Sequence, residues 1–488
     1  MTSFVTPCLY GTLVMGSAHS VVHSFRFPLP FLFFEFSIIV RLPMSVNPTS
    51  VQNETADTMG NAAVSFFTTT FQKHMPEQVF SVPLSTLPNG LNALVRSVLE
   101  LPESQSFDFL LNDEYITSTL QRFLHRRSIS YETVLHIEYT PALQTKEGSL
   151  LPHDDWVSSV RAPFFGNSDV VVTGAYDHCV RLWEGENCSA LGTYHKECVK
   201  EVAIHPVKEA ADSSKAGAKR KRVRGELDNF FVASCSKDGS VAGWKYDAAV
   251  SKFELLGTIF AHTDGIDTVH ISPFGGEFIV TGSWDNSVKI FNWSQLIDGG
   301  DTLPSKKQPN LCFTDHSRSV LCCRFSETHR SHCYSAGLDG VVKAYDVGQG
   351  QLFSQFSGDH SINKIALRPS SGSDLLLTAC TDNRARLYDT REKECTKTFS
   401  GHRQWLYSVC WLWGRDQQDD QKSNLFSTCS EDATVRVYDL RSTSGPLLTL
   451  DTIHTDGVLD VTCAGNDTIV SCGKDNKTKA STISKDSH

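Results

Sequence analysis

The sequence predicts a mainly β protein built from repeated four-stranded sheets, with a small α/β domain before the repeats. A hairpin pattern recurs along most of the chain after residue 150, and residues 64–140 mix strand-like and helix-like patterns. The hairpin is clearest at residues 281–291, where an alternating strand ends at Asp285 and Asn286 and a second alternating strand follows. Such a pattern is typical of a β-hairpin, because short polar side chains tolerate the geometry of a tight turn.

The hairpin pattern returns seven times in one register. Its turns are marked by Asp177, Asp238, Asp285, Asp339, Asp382, Asp432 and Asp475. Four residues before each aspartate stands a hydroxyl side chain, at Thr173, Ser234, Thr281, Ser335, Thr378, Thr428 and Ser471. Six residues after the first six aspartates stands an aromatic side chain, at Trp183, Trp244, Phe291, Tyr345, Tyr388 and Tyr438. Upstream of each turn lies a histidine, at His153, His195, His262, His316, His360, His402 and His454.

The spacing of the aspartates indicates the repeat architecture. Successive aspartates are 43 to 61 residues apart, which is close to the period of about 40 to 45 residues of four-stranded propeller blades once loop insertions are allowed. The sequence therefore predicts a seven-bladed WD40 β-propeller over residues 153–488.

The repeated histidine, hydroxyl and aspartate residues are expected to form a buried polar network in each blade. The turn carboxylate can accept a hydrogen bond from the histidine, the histidine can bond the hydroxyl, and a tryptophan in the aromatic position can extend the chain. An unpaired buried polar group costs about 1 to 3 kcal/mol, so mutual pairing stabilises the blade. A catalytic triad is the alternative, but a nucleophile should stand beside its base in a cleft rather than recur in every blade. The wide spacing of the histidines disfavours a metal site.

Residues 63–140 have a different pattern. Strand-like segments at residues 64–71 and 79–82 precede a helical spacing of apolar residues at 91–99, and residues 107–111 and 134–139 read as further strands around a short helix. This order predicts a ubiquitin-like β-grasp domain, which is usually a docking module. Residues 141–152 are then expected to be a linker to the propeller.

Composition and the N-terminal segment narrow the function classes. The net charge of −10 disfavours a dedicated nucleic-acid binder, and 15 scattered cysteines without a CxxC pair favour a reducing compartment. Residues 1–62 are predicted to be a disordered or spurious extension, with Met44 as an alternative start. The apolar stretch at residues 27–40 contains two prolines and a glutamate and is shorter than the roughly 20 residues of a membrane span. No membrane partner is therefore expected.

Two places depart from the repeat pattern. An insertion at residues 208–228 carries a basic run formed by Lys219, Arg220, Lys221, Arg222 and Arg224. A run of this kind indicates a nuclear-localisation signal or an RNA contact, and a solvated loop is the alternative. The second departure follows Asp475, where the chain from Lys477 onward lacks the aromatic residue and the alternating apolar strand. The last blade is expected to be poorly specified, with an exposed edge.

Several motifs resemble those of a known family. They read FDFL at residues 107–110, ISYE at 129–132, HIEY at 136–139 and HDDWVSSV at 153–160. A Notchless-like ubiquitin-like domain with these motifs, followed by a seven-bladed propeller, resembles the WD-repeat ribosome-biogenesis factor of the PeBoW complex over roughly residues 64–476. The resemblance implies a nucleolar and nucleoplasmic assembly factor of the large (60S) ribosomal subunit, acting in pre-rRNA processing and pre-60S maturation. It also implies three partners, with rRNA contact left open: the Block-of-proliferation protein, Pescadillo and the AAA ATPase midasin.

The same resemblance implies a role for one acidic residue. In the family, a glutamate of the ubiquitin-like domain completes the metal shell of midasin, which then removes the factor from the pre-60S particle, and the matching residue here is Glu132. A hard divalent ion prefers oxygen ligands and often keeps open positions, so a carboxylate from another chain can bind it. The alternative for Glu132 is an exposed loop glutamate without a partner.

Two other functions stay open at this point. A Notchless-type pre-60S factor shares the domain but normally carries more repeats, and a WD40 substrate adaptor for a ubiquitin ligase would also combine a propeller with a ubiquitin-like domain. The sequence predicts no enzyme and no cofactor, because it contains no phosphate-binding loop of the GxxxxGK[ST] type and no metal or nucleophile motif.

Overall fold

The structure is a computed structural model that describes residues 60–485 apart from 70, 163–169, 207–228, 298–306, 359, 371–372, 393, 413–423, 442, 444 and 466. Strands dominate the described residues. They form one five-stranded sheet followed by seven four-stranded sheets. No helix in these ranges is long and apolar enough to cross a bilayer.

The five-stranded sheet and two helices form the first part of the described chain. The elements are β1 (Asn61–Phe67), β2 (Phe80–Pro83), α1 (Pro88–Leu99), β3 (Phe107–Leu111), β4 (Glu114–Tyr115), α2 (Leu120–Arg127) and β5 (Leu135–Pro141). The strand order is β2-β1-β5-β3-β4, with β1 antiparallel to β2 and parallel to β5. The predicted strands and helices of this region all occur, although β1 begins at Asn61, within the predicted N-terminal extension.

The core of this part is built from the faces that the sequence pattern marks as apolar. Leu91 and Val95 of α1 are fully buried and lie in one cluster with Phe107, Phe109 and Ile137 of the sheet. A proline at the start of α1 and a left-handed residue, Glu100, at its end bound the helix.

Seven four-stranded sheets, here called repeat sheets 1 to 7, follow. Sheet 1 contains β7 (Val157–Arg161), β8 (Val170–Ala175), β9 (Cys179–Glu184) and β10 (Asn187–Thr193). Sheet 2 contains β11 (Val199–Pro206), β12 (Phe230–Ser236), β13 (Ser240–Asp247) and β14 (Lys252–Phe260). Sheet 3 contains β15 (Ile266–Ile271), β16 (Phe278–Ser283), β17 (Val288–Asn292) and β18 (Leu311–Phe313), with the short helix α3 (Ser294–Ile297) after β17.

The other four sheets have the same antiparallel order. Sheet 4 contains β19 (Val320–Phe325), β20 (His332–Gly337), β21 (Val341–Asp346) and β22 (Gln351–Ser357). Sheet 5 contains β23 (Ile362–Ser370), β24 (Ser373–Cys380), β25 (Ala385–Asp389) and β26 (Cys395–Phe399). Sheet 6 contains β27 (Leu406–Trp411), β28 (Leu425–Ser430), β29 (Val435–Asp439) and β30 (Leu448–Leu450). Sheet 7 contains β31 (Val458–Ala464), β32 (Thr468–Gly473), β33 (Lys477–Lys485) and β6 (Leu143–Pro152).

Sheet 7 corrects two predictions. The segment predicted as a linker, residues 141–152, contains strand β6, which pairs with β33 from Leu143↔Lys485 to Pro152↔Lys477. The last repeat, predicted to lack its closing strand, therefore has four strands. Strand β6 was hard to recognise because it lies at the outer edge of its sheet and is mostly exposed. Strand β33 was hard to recognise because the position expected to be aromatic is Ser481, which is buried. Ile483 supplies the apolar contact instead, and it packs in the cluster between sheets 6 and 7.

Neighbouring repeat sheets bury their faces against each other. The first strands of successive sheets are in contact from β7 through β11, β15, β19, β23 and β27 to β31, and β31 also contacts β7. One cluster, for example, joins Val170 and Val172 of sheet 1 to Val199, Val202 and Val232 of sheet 2. Each sheet thus has a buried side toward each of its neighbours.

Candidate functional site

The seven marker aspartates lie in the turns between the second and third strands of their sheets. The residue after each one has a positive φ, which only a few residue types adopt readily. These residues are His178, Gly239, Asn286, Gly340, Asn383, Ala433 and Asn476. In six of the turns the aspartate carboxylate also accepts the backbone N–H two residues on, as Asp285 does from Ser287 at 3.0 Å. The aspartate therefore stabilises the turn locally.

Four repeat sheets contain the full network of histidine, hydroxyl and aspartate. In sheet 4, His316 Nδ1 lies 2.8 Å from Asp339 Oδ2, and its Nε2 lies 2.6 Å from Ser335 Oγ. Because a carboxylate only accepts, Nδ1 carries the proton and Nε2 accepts the hydroxyl hydrogen of Ser335. The equivalent sets are His262 with Thr281 and Asp285, His402 with Thr428 and Asp432, and His454 with Ser471 and Asp475.

The protonation states follow from burial and pairing. Burial lowers the pKa of His262, and the hydrogen bond to Asp285 opposes this shift without overcoming it. Burial by itself raises the pKa of Asp285, but the hydrogen bonds from His262 and Ser287 outweigh it and hold the pKa below its ordinary value. A neutral imidazole thus donates to a charged carboxylate. Such a pair stabilises the turn, and its groups lie inside the sheet rather than in a cleft.

Sheets 1, 2 and 5 depart from this network. In sheet 2, His195 Nδ1 contacts Ser240 Oγ at 3.0 Å, and Ser240 in turn donates to Asp238. In sheet 1, His153 bonds Thr173 at 2.9 Å, while Asp177 pairs with Arg181. The two tryptophans extend their networks as expected, since the indole N–H of Trp183 donates to Thr173 and that of Trp244 donates to Ser234.

In sheet 5, His360 does not occupy the histidine position of the repeat, contrary to the sequence-based prediction. Thr381 donates its backbone N–H to Ser361, just as Glu431 donates to Trp405 in sheet 6, so Ser361 is the equivalent of Trp405. His402 lies three residues before Trp405, and the residue three before Ser361 is Gly358. Glycine therefore occupies the histidine position, and Arg386 pairs with Asp382 instead.

A group of residues that sequence reasoning missed lies where the seven first strands meet. In every repeat sheet the register between the first and second strands shifts just before the third residue of the first strand. A bulge of this kind re-aims a side chain. The third residues are Ser159, Glu201, Thr268, Cys322, Lys364, Ser408 and Asp460. All seven are polar or sulfur-bearing, and each stands two residues after the Val, Ile or Leu that begins its strand, which was the available signal.

Charges pair closely in this central cluster. Glu201 accepts from Arg161 at 2.5 Å, from Arg324 at 2.6 Å and from Lys364 at 2.6 Å. Asp460 accepts from Arg161 at 2.6 Å and from Ser408 at 2.7 Å. Burial raises the pKa of Glu201, but the three cations outweigh it and hold that pKa well below its usual value. The cluster borders a cavity of about 170 Å³. The positive and negative side chains of the cluster largely neutralise one another.

Glu132 lies in an exposed segment directly before β5. Its backbone N–H donates to Ser130 Oγ at 3.3 Å, and its neighbours Tyr131 and Val134 are exposed as well. The carboxylate is thus accessible to another chain. In the part of the chain that the structure describes, no group of three or more His, Cys, Asp or Glu residues could itself hold a metal ion.

The five-stranded part contacts repeat sheet 6 through a buried tyrosine. The Tyr115 hydroxyl donates to Asp439 Oδ2 at 3.1 Å, and Arg441 Nη2 donates to the Tyr115 oxygen at 3.2 Å. Arg441 also pairs with Asp439 at 2.8 Å and lies over the Tyr115 ring. Burial and the charge of Asp439 raise the pKa of Tyr115, so the hydroxyl keeps its proton. This polar contact joins the part that carries Glu132 to repeat sheet 6, and Gln144 of β6 adds a second contact by donating to the Ser104 carbonyl at 3.2 Å.

The basic run of Lys219, Arg220, Lys221, Arg222 and Arg224 lies outside the described residues, between β11 and β12. Among the cysteines that the structure describes, all are free thiols.

Comparison with known families identifies both parts. The family profile of the NLE (NUC135) domain matches residues 62–124, and that of the WD domain, G-beta repeat, matches residues 144–184, 253–292, 307–346 and 393–439. The chain combines an NLE domain with WD repeats. Each matched WD segment begins in the outer strand of one sheet and continues into the next sheet. The first WD segment thus contains β6, which explains why a strand just after the NLE domain belongs to the last sheet.

Several relatives align with most of the chain. The ribosome biogenesis protein WDR12 homolog of Nematostella vectensis is 29% identical over 446 residues, which cover 85% of this chain and 97% of the relative. The homolog of Anopheles gambiae is 27% identical, with 86% and 95% covered. That of Oryza sativa subsp. japonica is 29% identical, with 82% and 92% covered. The resemblance to WD-repeat ribosome-biogenesis factors is thereby confirmed for an NLE domain followed by WD repeats.

Proposed function

We propose that this chain is a non-enzymatic assembly factor of the large ribosomal subunit. The observation that carries the proposal is that this chain, with its NLE domain and WD repeats, aligns over most of its length with relatives named ribosome biogenesis proteins. In this proposal the repeat sheets form a seven-bladed propeller that holds protein partners, and the NLE domain is a ubiquitin-like β-grasp domain.

Two features support this architecture. The strand order β2-β1-β5-β3-β4, with a central parallel pair and α1 packed on the sheet, is the order of a β-grasp domain. The seven first strands contact one another in sequence and the last contacts the first. They also send equivalent residues into one central cluster, as expected for blades around a common axis. Seven sheets favour this factor over a Notchless-type protein, which normally carries more repeats.

The proposed partners are the Block-of-proliferation protein and Pescadillo, which together with this chain would form a PeBoW-type complex on the pre-60S particle. Isolation of the tagged full-length chain from cells tests this directly. We expect the two partners and large-subunit precursors to be recovered. Recovery of ubiquitin-ligase subunits in their place would refute the assembly role and favour the substrate adaptor.

Release from the particle is proposed to proceed through Glu132. Its exposed carboxylate would complete the Mg²⁺ shell of midasin, while the Tyr115 contact connects the NLE domain to the repeat sheets. Binding of the full-length chain to the isolated metal-binding domain of midasin should require Mg²⁺. It should be lost in Glu132→Ala and kept in Glu103→Ala, since Glu103 is another exposed glutamate of the NLE domain. Unchanged binding of Glu132→Ala would exclude this role.

Nucleolar and nucleoplasmic localisation is proposed to depend on the basic run at residues 219–224. A fluorescent reporter fused to residues 208–228 should concentrate in the nucleus, whereas the same reporter with the five basic residues changed to alanine should not. A uniform distribution of the first reporter would exclude an import signal in this segment.

A further inference from the structure

One edge of the repeat sheets presents equivalent residues from every sheet. The residue before each turn aspartate donates its backbone N–H to the carbonyl of the residue before the first strand. This bond occurs seven times, as Tyr176→Trp156, Lys237→Cys198, Trp284→Gly265, Leu338→Ser319, Thr381→Ser361, Glu431→Trp405 and Lys474→Gly457. The repetition places these fourteen residues on the same edge, and one sector of that edge has an unusual composition.

That sector exposes large aromatic side chains. Trp156 is 40% exposed and Trp284 is 43% exposed, although tryptophan is among the most buried side chains on average. The Trp156 ring lies 5.5 Å from the Tyr176 ring. Lys200 donates to the Tyr176 hydroxyl at 3.2 Å and pairs with Asp267, which accepts from the indole N–H of Trp284 at 2.7 Å. The two tryptophans are thus fixed in one connected surface.

The same sector carries acidic residues at one repeated position. The residue two before the first strand is Asp456 in sheet 7, Asp155 in sheet 1, Glu197 in sheet 2 and Asp264 in sheet 3. In the other three sheets this position holds Arg318, His360 and Gln404. The carboxylates of Asp155, Asp264 and Asp456 each accept the next backbone N–H, at 2.6 to 2.7 Å, which fixes their place on the edge. All four acidic residues are exposed.

The lysines of the sector leave this acidic charge largely uncompensated. Lys200 is paired with Asp267, and Lys474 is paired with Glu431 at 2.6 Å. Two exposed lysines, Lys196 and Lys237, remain beside the four carboxylates, while the exposed Asp154 pairs with Arg181 at 3.0 Å. Four exposed carboxylates against two exposed ammonium groups make the sector negative. The acidic aromatic rim is defined here as Asp155, Trp156, Glu197, Asp264, Trp284 and Asp456.

We propose that the acidic aromatic rim binds an arginine-rich segment of a partner protein. A guanidinium group stacks on an indole face and pairs with a carboxylate at the same time. Asp155 directly precedes Trp156, and the Lys474 ammonium already lies 5.4 Å from the centre of the Trp156 ring, so this indole accepts a cation. Tryptophan and arginine are also the residues that most often dominate protein interfaces. A nucleic acid does not fit, because its phosphates would face the carboxylates. The proposal does not depend on the ribosomal role, since it rests only on the rim residues.

Fluorescence anisotropy with a labelled peptide of alternating glycine and arginine tests the proposal on the full-length chain. We expect saturable binding at low ionic strength that weakens as salt is added. The double variant Trp156→Ala/Trp284→Ala should bind about tenfold more weakly. A peptide with lysine in place of arginine should bind more weakly than the arginine peptide, because ammonium lacks the planar stacking face.

Two further variants keep the test decisive. Glu197→Gln/Asp264→Asn leaves the tryptophans in place and should also weaken binding several-fold, so the result does not depend on tolerance of the tryptophan changes. Phe353→Ala removes an exposed aromatic residue, on β22 rather than on the rim, and should leave binding unchanged. Equal binding of wild type and both rim variants would overturn the proposal, as would an equal loss in Phe353→Ala or tighter binding of single-stranded RNA than of the arginine peptide.

Discussion

At the scale of single residues, the repeated histidines differ in what they contact. Their structural roles therefore differ, although the sequence pattern is the same. His262 contacts both Thr281 and Asp285 from a fully buried position. His360 is half exposed and lies 4.0 Å from Asp382 without contacting Thr378. The two histidines therefore contribute unequally to the free energy of unfolding.

Substitution of these two histidines should show the inequality. We expect His262→Ala to lower the free energy of unfolding by about 1 to 3 kcal/mol, because Asp285 and Thr281 lose a buried partner. His360→Ala should change it by less than about 0.5 kcal/mol, as is typical of exposed positions. Urea denaturation followed by tryptophan fluorescence measures both. Equal destabilisation by the two variants would contradict the assignment of Gly358 to the histidine position.

A second prediction at this scale concerns pH. Burial and the charge of Arg181 lower the pKa of His153 from 6.5 to about 4. A folded-state pKa below the unfolded value means that the neutral form is favoured by folding. The contribution of neutral His153 to stability is complete above pH 6.5 and is lost as the pH falls toward 4. His262 and His402, whose pKa values burial also lowers, act in the same direction.

The melting temperature should therefore fall between pH 7 and pH 5. His153→Gln should show a smaller fall than wild type, because glutamine has no proton to take up. A parallel decline of the two proteins over this range would argue against the low pKa of His153. The turn aspartates with lowered pKa values, such as Asp285, lose their contribution only at more acidic pH, below their ordinary value of 3.8.

At the scale of elements, sheet 7 is the place where the sequence pattern and the structure differ most. A strand such as β17 was predictable because Val288 and Ile290 alternate with the polar Lys289. Strand β6 could not be recognised in this way, since an outer strand has an exposed face and its partner β33 lies more than 300 residues away. Local patterns do not report a pairing between the two ends of a chain. The helices and strands of the NLE domain were predicted well, because the spacing of their apolar residues is visible within each segment.

Ile483 should contribute much of the stability of repeat sheet 7, where β33 pairs with β6. It is 6% exposed and packs between sheets 6 and 7, whereas its neighbour Ser484 is exposed. We expect Ile483→Ala to destabilise the chain by about 2 to 5 kcal/mol and Ser484→Ala to have little effect. The midpoint of guanidinium unfolding provides the comparison. Indistinguishable midpoints would indicate that β33 does not pack as described.

At the scale of the whole molecule, two contacts join distant parts of the chain. The central cluster brings together one residue from each first strand, and Tyr115 joins the NLE domain to Asp439 and Arg441. The sequence contained the polar residues of both contacts, but nothing in their spacing showed that they meet. Buried charge pairing is a property of the assembled fold, so the missed residues are those whose partners come from other sheets.

The contact at Tyr115 should determine how firmly the NLE domain is held. Tyr115→Phe keeps the ring but removes the hydroxyl that bonds Asp439 and Arg441. We expect the NLE domain to move more freely, which small-angle X-ray scattering would record as an increased radius of gyration. Tyr131→Phe is the matched control, since Tyr131 is 51% exposed. An unchanged radius in Tyr115→Phe would show that other contacts hold the domain.

The proposed role has this chain act on large-subunit precursors and leave them through Glu132. Sucrose-gradient sedimentation of lysates from cells that express the tagged chain tests this role. We expect wild type and Glu103→Ala to divide between pre-60S and free fractions, and Glu132→Ala to accumulate in the pre-60S fractions with few free molecules. Absence of all three proteins from the pre-60S fractions would contradict the assembly role, and an identical distribution of all three between the fractions would contradict release through Glu132.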